Sequence, residues 1–161
     1  MNLDRLKIIL IAVGVAGAVA LFLTRGPQQR LEGEFTEVRL LKVEETATVA
    51  LVNFAAENVT NRPFVANDRN LELINADGRA VAGMLVSGPD LYDLFMYFPD
   101  LGGMKDEPFL AKRRIESGES FRGLIAARFE VPENLMQQRQ GLVLRLVDGA
   151  GRPTEIREDA R

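Results

Sequence analysis

The chain of 161 residues contains no cysteine, no histidine and no tryptophan. Without histidine and cysteine there is no Ser-His-Asp or Cys-His nucleophile, no imidazole proton transfer, no disulfide and no Cys/His zinc site. Carboxylates, lysine, tyrosine and serine remain, and no motif marks a reactive pair among them. The composition therefore predicts a protein that is not an enzyme and that carries no cofactor and no metal.

Basic charge is also scarce, with 20 Lys and Arg against 23 Asp and Glu and a net charge of −3. Binding to nucleic acid needs a basic stripe, so nucleic acid is excluded as a partner. The one dense basic cluster of the later chain is Lys112, Arg113 and Arg114. Outward-facing basic side chains on a sheet are its ordinary interpretation, and contact with membrane lipid or an acidic partner is the alternative.

One long apolar run stands near the start of the chain. Residues 8–23 (IILIAVGVAGAVALFL) are uncharged, with Arg5 and Lys7 before them and Arg25 after them. As a helix the run rises roughly 24 Å, and flanking basic side chains can snorkel outward to complete a span of ~30 Å. The pattern predicts a single transmembrane anchor over residues 8–24, behind a short basic cytoplasmic tail at 1–7.

The orientation of this anchor follows from charge and domain size. The positive charges on its two sides nearly balance, but the free amino terminus adds to the first side, and a large following domain translocates largely regardless of its charge. We expect a single-pass protein of the inner (cytoplasmic) membrane with an extracytoplasmic, periplasmic domain. A cleaved signal peptide is the alternative, because Ala18-Val19-Ala20 fits the small-x-small cleavage pattern.

Small residues recur on one side of the predicted anchor. Ala12, Ala16 and Ala20 are spaced by four, with Gly17 beside them. Such spacing lets a second helix approach closely, so these four residues are the predicted site of helix packing in the membrane.

The rest of the chain is predicted to be all-β. A polar linker over 25–36 leads into a domain over 37–150, and residues 151–161 form a polar tail. Asp77-Gly78 is a strong hairpin signal between two strands. Short β-rich segments and turns with little helical period predict an antiparallel β-sandwich, with strands at 37–43, 46–55, 71–74, 80–86, 121–131 and 142–147.

Several of these segments resemble a known class of domain. Asn53 and Asn58 before Arg62-Pro63, then LELINADGRAV, then ESGESFRGLIAARFEVPEN are similar to the immunoglobulin-like extracytoplasmic domains of unknown function that many bacteria carry behind a signal anchor. The resemblance covers residues 37–147. It implies an immunoglobulin-like fold and a role in binding or assembly, with no shared catalytic residues.

The chain departs from that pattern in an insertion over residues 87–112, which holds five of the eleven aromatic residues. Pro89 predicts the start of a short helix. Leu91, Leu94, Phe95 and Phe98 share one face, which is expected to pack on the sandwich. The remaining sides carry Tyr92, Met96 and Tyr97 and need cover from a partner, from the bilayer or from the loop at 100–109.

These patterns favour a non-enzymatic accessory or structural subunit. It would dock its sandwich onto an integral membrane protein complex through five partner-binding residues, Tyr92, Phe95, Met96, Tyr97 and Phe98. A free-standing ligand-binding or sensor module is the alternative. The carboxylates of the insertion are interpreted as a solvated rim rather than calcium ligands.

Overall fold

The computed structural model of the chain describes residues 31–158. The predicted anchor at 8–24, with Ala12, Ala16, Gly17 and Ala20, lies outside these residues. Within the described range, no helix is long and apolar enough to cross a membrane.

The described part of the chain is mostly β-structure, with two short α-helices and one 3₁₀ turn. In chain order the elements are β1 (Leu31–Glu44), β2 (Ala47–Asn58), β3 (Phe64–Val65), β4 (Asp68–Ile74), β5 (Ala80–Ala82), β6 (Met84–Leu85), α1 (Gly88–Tyr97), the 3₁₀ turn (Pro99–Leu101), β7 (Arg114–Ile115), β8 (Ser120–Phe129), α2 (Glu133–Gln137), β9 (Gly141–Val147) and β10 (Pro153–Arg157).

Two four-stranded antiparallel sheets form a sandwich. The first sheet has the order β1-β2-β8-β6 and the second has the order β10-β9-β4-β5. The inner faces meet in one apolar core, which includes Phe54, Phe64, Leu71, Ile125 and Leu144. The all-β sandwich predicted from the sequence is confirmed.

The sandwich is longer at both ends than the sequence predicted. β1 begins at Leu31, which is fully buried and pairs with Asn58, so residues 31–36 belong to the first sheet and the linker predicted over 25–36 is wrong for them. β10 lies inside the predicted tail, and its Thr154 and Ile156 are buried. β10 alternates exposed or half-buried residues with buried ones, and in both segments the charged residues conceal the strand.

The strand predicted over 80–86 is divided between the two sheets. β5 pairs with β4 as the hairpin at Asp77-Gly78 predicts, whereas β6 pairs with β8 in the first sheet. Gly83 stands at the crossing, where a Cβ atom would lie 2.7 Å from the Ala127 Cβ and from the Phe129 ring. The chain can change sheets here because this position has no side chain.

Residues that carry the resemblance to extracytoplasmic domains meet at one end of the sandwich. The buried Asn58 amide donates to the carbonyls of Arg62 and Ile115, at 2.8 and 3.2 Å. The Gly118 amide donates to the Asn58 carbonyl at 2.8 Å, with Gly118 at φ +71°. These bonds tie the loop after β2 to the turn before β8.

Candidate docking surface

Local sequence signals begin and end helix α1 as predicted. The Ser87 hydroxyl accepts a hydrogen bond from the Asp90 amide at 3.3 Å, and Pro89 occupies the first turn. The helix ends at Tyr97, and Pro99 then opens the 3₁₀ turn. The insertion thus presents a ten-residue helix rather than an irregular loop.

Helix α1 packs on the outer face of the first sheet, opposite the inter-sheet core. Leu91 is 2% exposed and joins an outer apolar cluster, against which Leu94 and Phe95 pack while partly buried. The other buried members of this cluster are Val49, Leu51, Leu124 and Ala126. Packing on the sandwich is therefore confirmed for Leu91, Leu94 and Phe95.

Phe98 does not follow that prediction, because 40% of it remains exposed. It caps the helix with φ −122° and ψ 73°, so the chain leaves the helical path there. The Phe98 side chain, at position i+7 of the helical face, is therefore partly exposed to solvent.

The opposite side of α1 is an exposed apolar surface, as the sequence predicts. Tyr92, Met96 and Tyr97 are 56%, 69% and 75% exposed, and they adjoin Phe98 in the chain. We call these four residues the α1 surface. The loop at 100–109 does not cover them, because its Leu101, Met104 and Phe109 pack against the sandwich instead.

A polar network fixes that loop to the sheet. The Asn53 amide, 1% exposed on β2, donates to Asp106 Oδ2 at 2.6 Å, and Arg122 Nε donates to Asp106 Oδ1 at 2.8 Å. Arg39 donates to Asn53 Oδ1 at 3.0 Å and to the Leu101 carbonyl at 2.6 Å. These bonds join the loop to β1, β2 and β8 and hold the insertion in place.

The electrostatics of two carboxylates reflect this arrangement. The hydrogen bond from Arg122 lowers the pKa of Asp106, against the opposing effect of burial. The hydrogen bond from Lys105, at 2.9 Å, lowers the pKa of Glu37. Both groups are held ionised as links between the insertion and β1 or β8, and neither has the raised pKa of a general acid.

The end of the insertion enters the inter-sheet core. The Phe109 ring stacks on Phe121 with 5.5 Å between centroids and meets Phe54 edge-on at 5.3 Å. Arg113 lies over the Phe121 ring at 5.0 Å, and Arg69 donates to the Phe109 carbonyl. Arg113, from the basic cluster, is thus engaged within the protein.

A cavity borders the insertion, and a groove lined by no residue of the insertion lies on the first sheet. A cavity of ≈ 390 Å³ lies beside the first turn of α1 and is lined by Gly88, Pro89, Tyr92, Glu107, Pro108 and Leu110. A wider groove of ≈ 870 Å³ runs along β1, β2 and β8, with Glu32, Glu34, Glu57 and Arg122 among its lining residues. We call the first of these the α1 cavity.

Comparisons with known proteins identify no family for this chain. No family model matches the sequence, and no curated protein matches it. Among solved structures, the chain is similar to an uncharacterized β-sandwich protein from Clostridium difficile 630, at 9% identity over 83% of this chain and 87% of that chain, with a TM-score of 0.43.

Two further structures are similar over most of their length. The archaellum periplasmic stator protein FlaG from Sulfolobus acidocaldarius matches at 10% identity over 79% of this chain and 98% of that chain, with a TM-score of 0.38. A conserved hypothetical protein from Bacillus anthracis matches at 12% identity over 80% and 99%, with a TM-score of 0.36. At these scores the likenesses carry no function to this chain.

The five predicted partner-binding residues divide into two groups. Tyr92, Met96, Tyr97 and, in part, Phe98 are available at the surface, whereas Phe95 is partly buried and lies under Arg39, with the guanidinium carbon 5.1 Å from the ring centroid. Asp106, considered as a rim carboxylate, is instead bound to Asn53 and Arg122. Among residues 31–158, no group of three or more Asp or Glu side chains is placed to hold a metal ion.

Sequence reasoning missed the polar network and the cavity. Asn53 and Asp106 are 53 residues apart, and Arg39 and Leu101 are 62 apart. No local pattern links positions so distant. The one available signal is that Asn53 interrupts an otherwise apolar strand segment.

Proposed function

We propose that this protein is a non-enzymatic accessory or structural subunit that docks on a larger integral membrane protein complex through the α1 surface. The observation that carries the proposal is the contrast between the two sides of one insertion. Its inner side is fixed by an apolar cluster, by the network at Asp106 and by Phe109, while its outer side leaves Tyr92, Met96 and Tyr97 exposed. A rigid helix with an exposed aromatic and methionine side is typical of a protein-binding surface.

The proposal includes an immunoglobulin-like fold. The orders β1-β2-β8-β6 and β10-β9-β4-β5 correspond to the ABED and GFCC′ sheets of that fold, with β6 in the place of strand D. Immunoglobulin-like sandwiches serve widely as binding modules on cell surfaces, which agrees with a docking role.

The membrane part of the proposal rests on the sequence. Residues 8–24 would anchor the protein in the inner membrane, with the amino terminus inside and the sandwich outside. The face formed by Ala12, Ala16, Gly17 and Ala20 would add a contact with a helix of the same complex.

The α1 cavity favours a second candidate, a membrane-anchored or secreted ligand-binding module. A volume of ≈ 390 Å³ falls in the range of small-molecule sites. The docking role remains our first choice, because the α1 surface extends beyond the cavity to Met96, Tyr97 and Phe98.

The docking proposal is tested by placing a charge on the α1 surface. Met96→Asp and Tyr97→Asp each bury a carboxylate if a partner covers the helix, and we expect about tenfold or greater loss of co-purifying subunits. The full-length protein is extracted from its membrane in mild detergent and separated by size, and its companions are quantified by mass spectrometry.

Leu135→Asp on α2 is the matched control, since Leu135 is 51% exposed and lies outside the insertion. Far-UV circular dichroism checks that each variant retains its β-structure. Normal recovery of partners by both α1 variants, or migration of the wild-type protein alone, would contradict the proposal.

A further inference from the structure

The α1 cavity is held open by the sheet rather than by a flexible loop. The Leu124 amide donates to the Glu107 carbonyl at 2.9 Å, and the Phe109 amide donates to the Leu124 carbonyl at 2.8 Å. These two bonds fix Pro108 between them, while Gly88 and Pro89 belong to the first turn of α1. Both walls are thus formed before any partner arrives, and binding there requires little ordering of the chain.

The lining of this cavity combines apolar walls with a single charge. Pro89, Pro108, Leu110 and the Tyr92 ring supply the walls, and Glu107 is the one charged residue that lines it. Within residues 31–158, no side chain is hydrogen-bonded or ion-paired to the Glu107 carboxylate. A cavity with apolar walls and one carboxylate residue in its lining suits a side chain with an aliphatic stem and a cationic end.

Helix α1 and the 3₁₀ turn carry the same sign of charge as Glu107. Helix α1 carries Asp90 and Asp93, and the 3₁₀ turn carries Asp100. No basic residue occurs between Ser87 and Met104. An anionic lipid surface would be repelled by these carboxylates, and two copies docked face to face would bring two acidic rims together. Charge complementarity therefore favours a basic partner over the bilayer or a second copy.

We propose that the α1 cavity receives a lysine or arginine side chain from an otherwise apolar segment of the partner. The stem lies against Tyr92 and Leu110, and the cationic group pairs with Glu107. This inference rests on the docking function proposed above and adds the chemistry of the partner to it.

The two tyrosines give a direct optical test of this inference. Tyr92 and Tyr97 are the only tyrosines, both lie on α1, and the chain has no tryptophan. In a Tyr97→Phe background, the emission of the full-length protein in detergent reports Tyr92 alone, at the cavity wall. The probe is n-butylammonium, the lysine side chain by itself, with 1-pentanol as a neutral analogue of similar length at matched ionic strength.

We expect n-butylammonium to change Tyr92 emission along a saturating curve in the millimolar range, with a several-fold weaker response to pentanol. Glu107→Gln should weaken the binding of n-butylammonium by about fivefold or more. Asp93→Asn is the matched control, because it removes one exposed carboxylate from α1, outside the cavity lining, and it should change the affinity by less than about twofold.

Three results would overturn the inference. The first is an equal change in Tyr92 emission with the alcohol and the amine. The second is an equal loss of n-butylammonium affinity in Glu107→Gln and Asp93→Asn. The third is shielding of the tyrosines without a partner, either on transfer to vesicles containing phosphatidylglycerol or on self-association. An absent amine response combined with partner release by Tyr97→Asp would overturn the inference while leaving the docking function in place, so the two failures are distinguishable.

Discussion

At the scale of single residues, Asp106 links the insertion to the sheet. Its side chain is 7% exposed and accepts hydrogen bonds from Asn53 and Arg122. We expect Asp106→Asn to lower the free energy of unfolding by about 1–3 kcal/mol at pH 7, because the charge-assisted hydrogen bonds that the Asp106 carboxylate accepts from Asn53 and Arg122 are lost or weakened. Urea unfolding of the full-length protein, followed by far-UV circular dichroism, measures the change.

The same residue gives an acid dependence with a defined direction. The pKa of Asp106 in the folded protein lies below its ordinary value of 3.8, so the folded state gains stability from the ionised carboxyl above that value. This stabilisation is lost as the pH falls from about 4 through the pKa of Asp106 in the folded protein. On acidification, the free energy of unfolding of Asp106→Asn should therefore decrease less than that of the wild type. The control Asp93→Asn, at an exposed position, should behave as wild type.

Residues of the insertion differ in how far the sequence alone could place them. Tyr92, Met96 and Tyr97 were predictable as the exposed side, because helical spacing sets them apart from Leu91, Leu94 and Phe95. The role of Asp106 was not, since it arises from partners on β2 and β8 that only the folded sheet brings near. Phe98, which periodicity places on the packed face, is 40% exposed because the helix ends before it, and periodicity does not register a helix end.

At the scale of elements, the transfer of the chain between sheets depends on Gly83. A Cβ atom there would meet the Ala127 Cβ and the Phe129 ring at 2.7 Å. We expect Gly83→Ala to destabilise the protein by about 1–3 kcal/mol, because both neighbours belong to the packed core. The midpoint of urea unfolding reports the effect.

Gly103→Ala is the matched control for this substitution, since a Cβ atom at this position of the insertion loop would meet no other atom within 4 Å. It should leave the midpoint nearly unchanged. Equal midpoints for the two variants would mean that the strands near Gly83 shift without cost, and the steric explanation for the sheet crossing would fail.

The elements that were predictable are those with local signals. β2, β4, β8 and β9 carry runs of β-branched and aliphatic residues bounded by turns. β3 and β7 contain two residues each, too few for any period, and they exist because Phe64 pairs with Ile115 across 51 positions. β10 alternates charged and buried residues in a segment whose composition resembles a tail.

At the scale of the whole molecule, the insertion and the sandwich are built as one unit. Leu91 enters the outer cluster, Phe109 enters the inter-sheet core, and Arg39 connects β1 to the 3₁₀ turn through the Leu101 carbonyl. An insertion attached at three such points cannot open while the sheet stays closed without exposing buried apolar surface. The α1 surface is therefore expected to be pre-formed, which reduces the ordering cost of docking.

Because the insertion and the sandwich form one unit, we expect two optical signals to change together on unfolding. In urea, tyrosine emission reports α1 and far-UV circular dichroism reports the sheets, and their midpoints should coincide for the full-length protein. Leu91→Ala should lower the free energy of unfolding by about 2–5 kcal/mol and lower both midpoints together, since Leu91 is buried against the first sheet. Met96→Ala, which shortens a side chain that is 69% exposed, is the control and should move neither. A tyrosine transition at lower urea than the sheet transition would mean that α1 opens independently, and a partner would then have to order this helix as it binds.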